Sequence, residues 1–77
     1  IVASGYVEAI SDSYIMLKNK AGNTEMFAHR GLQTKLTTVY PKNKTVAEET
    51  IDKLTKGDFV VIKCEQSILT QAIRYIQ

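Results

Sequence analysis

The chain has 77 residues, of which 44% are hydrophobic and 23% are charged, and its formal net charge at pH 7 is +2. This length predicts a single domain over residues 1–77, which buries only about 60% of the surface that its unfolded chain exposes. The small positive charge excludes a protein that holds duplex DNA through charge alone.

The length of the apolar runs and the number of cysteines and histidines exclude further classes of protein. No apolar run approaches the roughly 20 residues of a membrane-spanning helix. The single cysteine allows no internal disulfide, so we expect a cytoplasmic protein. One cysteine and one histidine make no cluster with metal-ligand spacing. We therefore expect neither a metal nor another cofactor.

Three consecutive antiparallel strands are predicted between Gly5 and Gly31. They cover residues 6–10, 14–18 and 24–30, with turns at residues 11–13 and 20–23. Gly22 supplies the positive φ that the second turn requires. Residues 1–4 extend the first strand backward, with a bend at Ser4 and Gly5 and with Val2 facing inward.

Side chains alternate between the two faces of each of these strands. The predicted inner set is Val7, Ala9, Ile15, Leu17, Met26 and Ala28. The predicted outer set is Tyr6, Glu8, Tyr14, Met16, Lys18, Glu25, Phe27 and His29. An outer face normally carries polar residues, so the aromatic and soft apolar members of the outer set are not explained by folding alone. Such a surface suits a flat partner that stacks on it.

The second half of the chain predicts two further strands, one helix and one segment that is either an edge strand or an ordered loop. Leu36–Tyr40 is predicted as an edge strand or an ordered loop, which ends at a proline. Thr45 and Glu48 fit a capping box, which predicts a helix within residues 45–56. Residues 58–65 form the fourth strand and residues 69–76 the fifth. In the fourth strand the inward residues are Val60, Ile62 and Cys64, and the outward residues are Phe59, Val61 and Lys63.

This order of elements predicts an all-β fold, the five-stranded Greek-key barrel known as the OB-fold, with its helix between strands three and four. A small open sheet backed by one helix is the alternative. That alternative would leave more of the fourth strand, which is apolar on both faces, exposed to water.

Short motifs in the chain resemble those of two families of OB-fold proteins. Residues 5–7 (GYV), 14–17 (YIML) and 26–29 (MFAH) resemble the G-x-V, F-G-F-I and V-F-V-H motifs of cold-shock domains. Residues 27–31 (FAHRG) and 57–60 (GDFV) are similar to L-A-H-I-S-G and G-D-K-V in bacterial translation initiation factor one. The resemblance implies a barrel whose second and third strands present side chains to single-stranded RNA or DNA.

The predicted nucleic-acid-binding residues combine the outer face with basic residues in nearby turns. They are Tyr6, Tyr14, Met16, Lys18, Lys20, Phe27, His29, Arg30, Lys42 and Lys44. Stacking of one base on an aromatic ring contributes about 1–3 kcal/mol and tolerates any base. The resemblance places Tyr14, Met16, Phe27 and His29 at the matching outward positions.

Two alternatives remain open for these residues. The aromatic side chains could pack under residues 36–40, and the lysines could serve solubility. Glu8 and Glu25 on the outer face would repel phosphate, which favours a protein partner or self-association instead. Neither His29 nor Cys64 has a catalytic partner that the sequence identifies, so we expect an interaction module and not an enzyme.

Overall fold

Seven β-strands and two 3₁₀ turns make up the structure, a computed structural model that describes residues 2–77. The strands are β1 (Val2–Ile10), β2 (Tyr14–Lys18), β3 (Thr24–His29), β4 (Lys35–Tyr40), β5 (Thr45–Thr50), β6 (Phe59–Glu65) and β7 (Ile68–Tyr75), and the turns are Gly31–Gln33 and Ile51–Lys53. The five predicted strands correspond to β1, β2, β3, β6 and β7. Ile1, which we expected to extend the first strand, lies outside the described residues.

Five of the strands close into a small barrel. Their order is β3-β2-β1-β6-β7, and β3 pairs back onto β7. This closing pair is parallel, with Ala28 opposite Ile68 and His29 opposite Leu69, whereas the other pairs in the barrel are antiparallel. The barrel is consistent with the predicted OB-fold-like architecture. No helix among residues 2–77 is long and apolar enough to cross a membrane.

The hydrophobic core is formed by side chains of β1, β2, β4, β6 and β7, together with the second 3₁₀ turn and the residue after it. The buried apolar residues are Val7, Ile15, Leu17, Leu36, Ile51, Leu54, Val60, Ile62, Cys64, Leu69 and Ala72. The predicted alternation of β6 is confirmed, because Val60, Ile62 and Cys64 are all buried. The inward positions predicted in β2, Ile15 and Leu17, are confirmed as well.

The predicted faces of the third strand are wrong, because the observed pairing of β3 with β2 differs by one residue from the predicted pairing. Phe27 lies opposite Ile15, partly buried and packed against the core, and His29 is only 8% exposed. Met26, predicted to point inward, is 64% exposed, and Ala28 is also exposed. A shift of one residue exchanges the two faces of a strand.

The first strand bends at a different place from the one predicted. A bulge lies between Val7 and Ala9 and turns Ala9 outward, and Val2 is 67% exposed instead of inward. Gly5 instead permits close approach of two strands. A Cβ atom there would stand 2.7 Å from the carbonyl oxygen of Lys18 in β2.

The predicted helix over residues 45–56 is wrong, since residues 45–50 form β5. The hairpin of β4 and β5 adds to the second half of β7, so that β4 lies inside the sheet and β5 at its edge. The hydroxyl of Thr45 donates to the carbonyl of Asn43 at 3.2 Å and caps no helix. Ile51 and Leu54, which the helical spacing predicts to be buried, are buried in the structure. They lie within and directly after the second 3₁₀ turn, however, and not in a helix.

Candidate binding surface

The outward side chains of β1, β2 and β3 form one continuous surface, which we call the β1–β3 face. Its members are Tyr6, Tyr14, Met16, Lys18 and Met26. Tyr6 lies opposite Lys18, and Met16 lies opposite Met26. Tyr6 is 54% exposed and Tyr14 is 37% exposed. Four of the predicted site residues are therefore brought together.

A ring contact continues this face onto β6. Tyr6 lies opposite Phe59, and their ring centroids are 5.3 Å apart in an edge-to-face arrangement with an interplanar angle of 63°. Such pairs stabilise each other by about 0.5–1.5 kcal/mol beyond the burial of their area. The sequence placed Phe59 outward but did not connect it with Tyr6, because that contact depends on the pairing of β1 with β6.

His29 and Phe27 do not belong to the face. The Nδ1 atom of His29 accepts a hydrogen bond from the amide of Gly31 at 2.8 Å. The proton of the neutral ring is therefore on Nε2, which donates to the carbonyl of Ser11 at 2.7 Å. His29 thus joins the turn after β1 to the turn after β3, which is a structural role.

The acidic residues predicted on the same face lie elsewhere. Glu25 is opposite Leu17, so it is on the other side of the sheet from Met16 and Lys18, and it accepts a hydrogen bond from the side-chain amide of Asn19 at 2.9 Å. Glu8 is half-buried at the bulge of β1. The β1–β3 face therefore carries less negative charge than the sequence predicts.

The basic residues are divided between two places. Lys18 is on the face, Lys20 is exposed in the turn between β2 and β3, and Arg30 is exposed directly after β3. Lys42 and Lys44 lie at the tip of the β4–β5 hairpin, which β1, β6 and β7 separate from β2 in the sheet order. They do not border the face that the sequence assigned to them.

A buried polar cluster, which the sequence analysis missed, holds the hairpin against the barrel. Arg74 of β7 donates to Glu49 at 2.6 Å, to the hydroxyl of Thr38 at 3.0 Å and to the backbone carbonyl of Lys53 at 2.7 Å. Asp58 is 3.5 Å from the same guanidinium. The signal available in the sequence was an arginine at an inward position of the last strand.

This cluster also changes the charge of the remaining surface. Of the ten basic and eight acidic residues in the chain, it holds one basic and two acidic residues, which leaves nine basic and six acidic residues elsewhere. The surface outside the cluster is therefore more positive than the net charge of +2 indicates.

No cluster with the composition of a metal site occurs in the part of the chain that the structure describes, and residues 2–77 enclose no pocket. Burial raises the pKa of the Cys64 thiol above its ordinary value. The thiolate, which is the nucleophilic form, is accordingly disfavoured at this position.

No known protein family, curated protein or solved structure is significantly similar to this chain. The closed barrel is consistent with an OB-fold-like architecture, and no relative confirms the resemblance to cold-shock domains or to bacterial translation initiation factor one.

Proposed function

We propose that this domain is an OB-fold module that binds single-stranded RNA or DNA through the β1–β3 face. The observation that carries the proposal is the set of outward aromatic and thioether side chains on three neighbouring strands, Tyr6 and Tyr14 with Met16 and Met26. Exposed apolar residues in such a continuous group mark interaction surfaces.

Stacking and charge act together in the proposed binding. Directly opposed residues on paired strands have Cβ atoms about 5 Å apart, so their side chains form a continuous platform. Lys18 lies beside Tyr6 within this platform, where its ammonium group reaches the phosphates of a strand whose bases stack on the ring. Lys20 and Arg30 add positive charge in the adjoining turns.

Single strands suit this surface better than duplexes do. Bases that stack on tyrosines must be unpaired and splayed out. With three phosphates neutralised, the logarithm of the affinity is expected to fall with the logarithm of salt concentration with a slope of about −2.

The test is a titration of a labelled, unstructured oligonucleotide of about 12 nucleotides at low salt, followed by fluorescence anisotropy. Tyr6→Ala and Tyr14→Ala should each weaken binding by about 1–3 kcal/mol. Leu32→Ala is the matched control, because it removes a side chain of the first 3₁₀ turn that is 65% exposed and lies outside the face. Absence of binding by the parent protein, to RNA and DNA alike, would refute the proposal.

A protein partner is the second candidate function, and one observation favours it. β5 is a terminal strand of the sheet, paired along its whole length with β4 and unpaired on its other side among the described residues. Such an edge accepts an additional strand. Val46 of β5 is 62% exposed. A protein that binds no oligonucleotide but self-associates in sedimentation experiments would support this candidate.

A further inference from the structure

A second row of outward apolar side chains crosses the other side of the barrel. In the sheet formed by β1, β6, β7, β4 and β5, Tyr6 lies opposite Phe59, Tyr75 opposite Val39, and Val39 opposite Val46. The register of β6 and β7, with Val60 opposite Arg74, brings Tyr75 beside Phe59. All five residues are apolar or aromatic, and we call them the cross-strand row.

Three of the five residues of this row, the two ends and the middle one, are open to solvent. Tyr6, Tyr75 and Val46 are 54%, 41% and 62% exposed, and Phe59 and Val39 are half-buried. Four steps between neighbouring strands, at about 4.8 Å each, give the row a length of about 19 Å. A solvent face normally alternates with polar residues, so an uninterrupted row across five strands is not explained by the stability of the barrel.

Positive charge lies on both sides of the row. Lys42 and Lys44 are in the turn that connects Val39 and Val46 to each other, next to one end of the row. Lys35 and Lys63 face outward from β4 and β6, each paired with Gln71 between them. Lys35 is four residues from Val39, which is about 13 Å along the strand.

Positive charge exceeds negative charge on this face. Val61 and Ile73 lie opposite each other in the outward row next to the cross-strand row. The outward carboxylates are Glu48, at the end of that row, and Glu65, which is two residues beyond Lys63 on β6. Glu49 is turned to the inner side, where it pairs with Arg74 at 2.6 Å. Because the face is apolar and positive, it is complementary to an anionic partner with flat apolar groups, and two copies of it would repel each other.

We propose that the bound single strand leaves the β1–β3 face at Tyr6 and continues across the cross-strand row, with bases against Phe59 and Tyr75 and phosphates at Lys42 and Lys44. This inference rests on the proposed function and names a path for the ligand. Tyr6 belongs to both surfaces, so it connects the two segments of the path. The Arg74 cluster holds the β4–β5 hairpin in place and thereby positions the two lysines.

The experiment compares oligonucleotides of about 4 and about 12 nucleotides on the full chain by anisotropy. Tyr75→Ala should weaken binding of the longer probe about fivefold or more and leave binding of the shorter probe to the β1–β3 face unchanged. Tyr75→Phe, which keeps the ring, should bind as the parent does. Thermal melting of each variant confirms that it is folded.

A charge variant tests the phosphate contacts independently of the aromatic ring. Lys42→Gln combined with Lys44→Gln should reduce the magnitude of the salt slope for the longer probe by about 1.4, the value for two phosphates on a single strand. Lys53→Gln with Lys56→Gln is the matched control. It removes the same charge from the segment between β5 and β6, whose Lys53 carbonyl contacts Arg74 on the inner side of the sheet.

The possible outcomes separate the path from the proposed function. Loss of affinity only for the longer probe in the Tyr75 and double-lysine variants supports the path. Equal affinity of these variants and the parent, while Tyr6→Ala still weakens binding, overturns the path and leaves the proposed function standing. Failure of the parent to bind either probe overturns both. A dimer in sedimentation experiments that Tyr75→Ala dissociates overturns the path by showing a second copy on this face.

Discussion

Replacement of Arg74 by Met should destabilise the protein strongly. The substitution removes the partner of Glu49 and the hydrogen bonds to Thr38 and to the carbonyl of Lys53. Removal of one partner of a buried ion pair lowers the free energy of unfolding by about 3–5 kcal/mol. The side chains of Glu49 and Asp58 are 30% and 26% exposed, so water partly solvates the two carboxylates that lose the guanidinium. We therefore expect a loss of about 3 kcal/mol.

A loss of this size is a large fraction of the stability of a domain of this length, which is about 4–12 kcal/mol. It corresponds to a decrease in Tm of about 12–24 °C. Urea unfolding followed by circular dichroism gives the free energy of unfolding. Arg30→Met is the matched control, because Arg30 is exposed, and it should change stability by less than about 0.5 kcal/mol.

A double-mutant cycle isolates the pair itself. Arg74→Met combined with Glu49→Gln should recover part of the loss, since only the more distant carboxylate of Asp58 is then left without the guanidinium, and the coupling energy should be about 1–3 kcal/mol. Strictly additive effects of the two substitutions, or an Arg74→Met protein as stable as the Arg30→Met control, would refute the role assigned to this cluster.

Three further outcomes are expected. Gly5→Ala should destabilise the protein by about 1–3 kcal/mol in urea unfolding, because its Cβ atom would meet the carbonyl oxygen of Lys18 at 2.7 Å. Phe27→Ala should lower Tm by more than its neighbour Met26→Ala does, and equal effects would show that the assigned faces of β3 are wrong. The thiol of Cys64 should react slowly with a disulfide reagent at pH 7 and faster as the pH rises, because burial raises its pKa and the thiolate is the reactive form; a fast, pH-independent reaction would contradict this.

Five of the seven strands, β1, β2, β3, β6 and β7, were predictable because their signals are local. Alternation in β6 and the turn residues that flank each hairpin identify the elements without knowledge of their partners. The faces of β3 were predicted wrongly, although the turn contains the information that fixes them. Lys18 pairs with Thr24 across the turn, which makes Thr24 outward and thereby makes Met26 outward too. Register in a hairpin follows from the length of its loop.

The β5 segment was misassigned because its pattern is compatible with two structures. Thr45 and Glu48 have the spacing of a capping box, but pairing with β4 extends the chain there. The interaction of Glu49 with Arg74 joins residues 25 positions apart. Contacts over such distances override local propensity, and no local pattern in the sequence reveals them.

The candidate binding surface depends on pairing between distant strands even more than β5 does. Tyr6 and Tyr14 were predicted outward from alternation alone, and they are exposed. The row through Phe59, Tyr75 and Val39 exists only because β6, β7 and β4 are neighbours in the sheet. The sequence contains these residues in three separate segments, so their proximity required the topology.

The most direct test of the proposed binding surface is an NMR titration of ¹⁵N-labelled protein with an unstructured oligonucleotide of about 12 nucleotides at low salt. We expect chemical-shift changes concentrated at Tyr6, Tyr14 and Phe59 and their strand neighbours, and small changes at residues such as Leu36, which is fully buried. An unchanged spectrum at saturating oligonucleotide, or changes confined to the segment between β5 and β6, would contradict it.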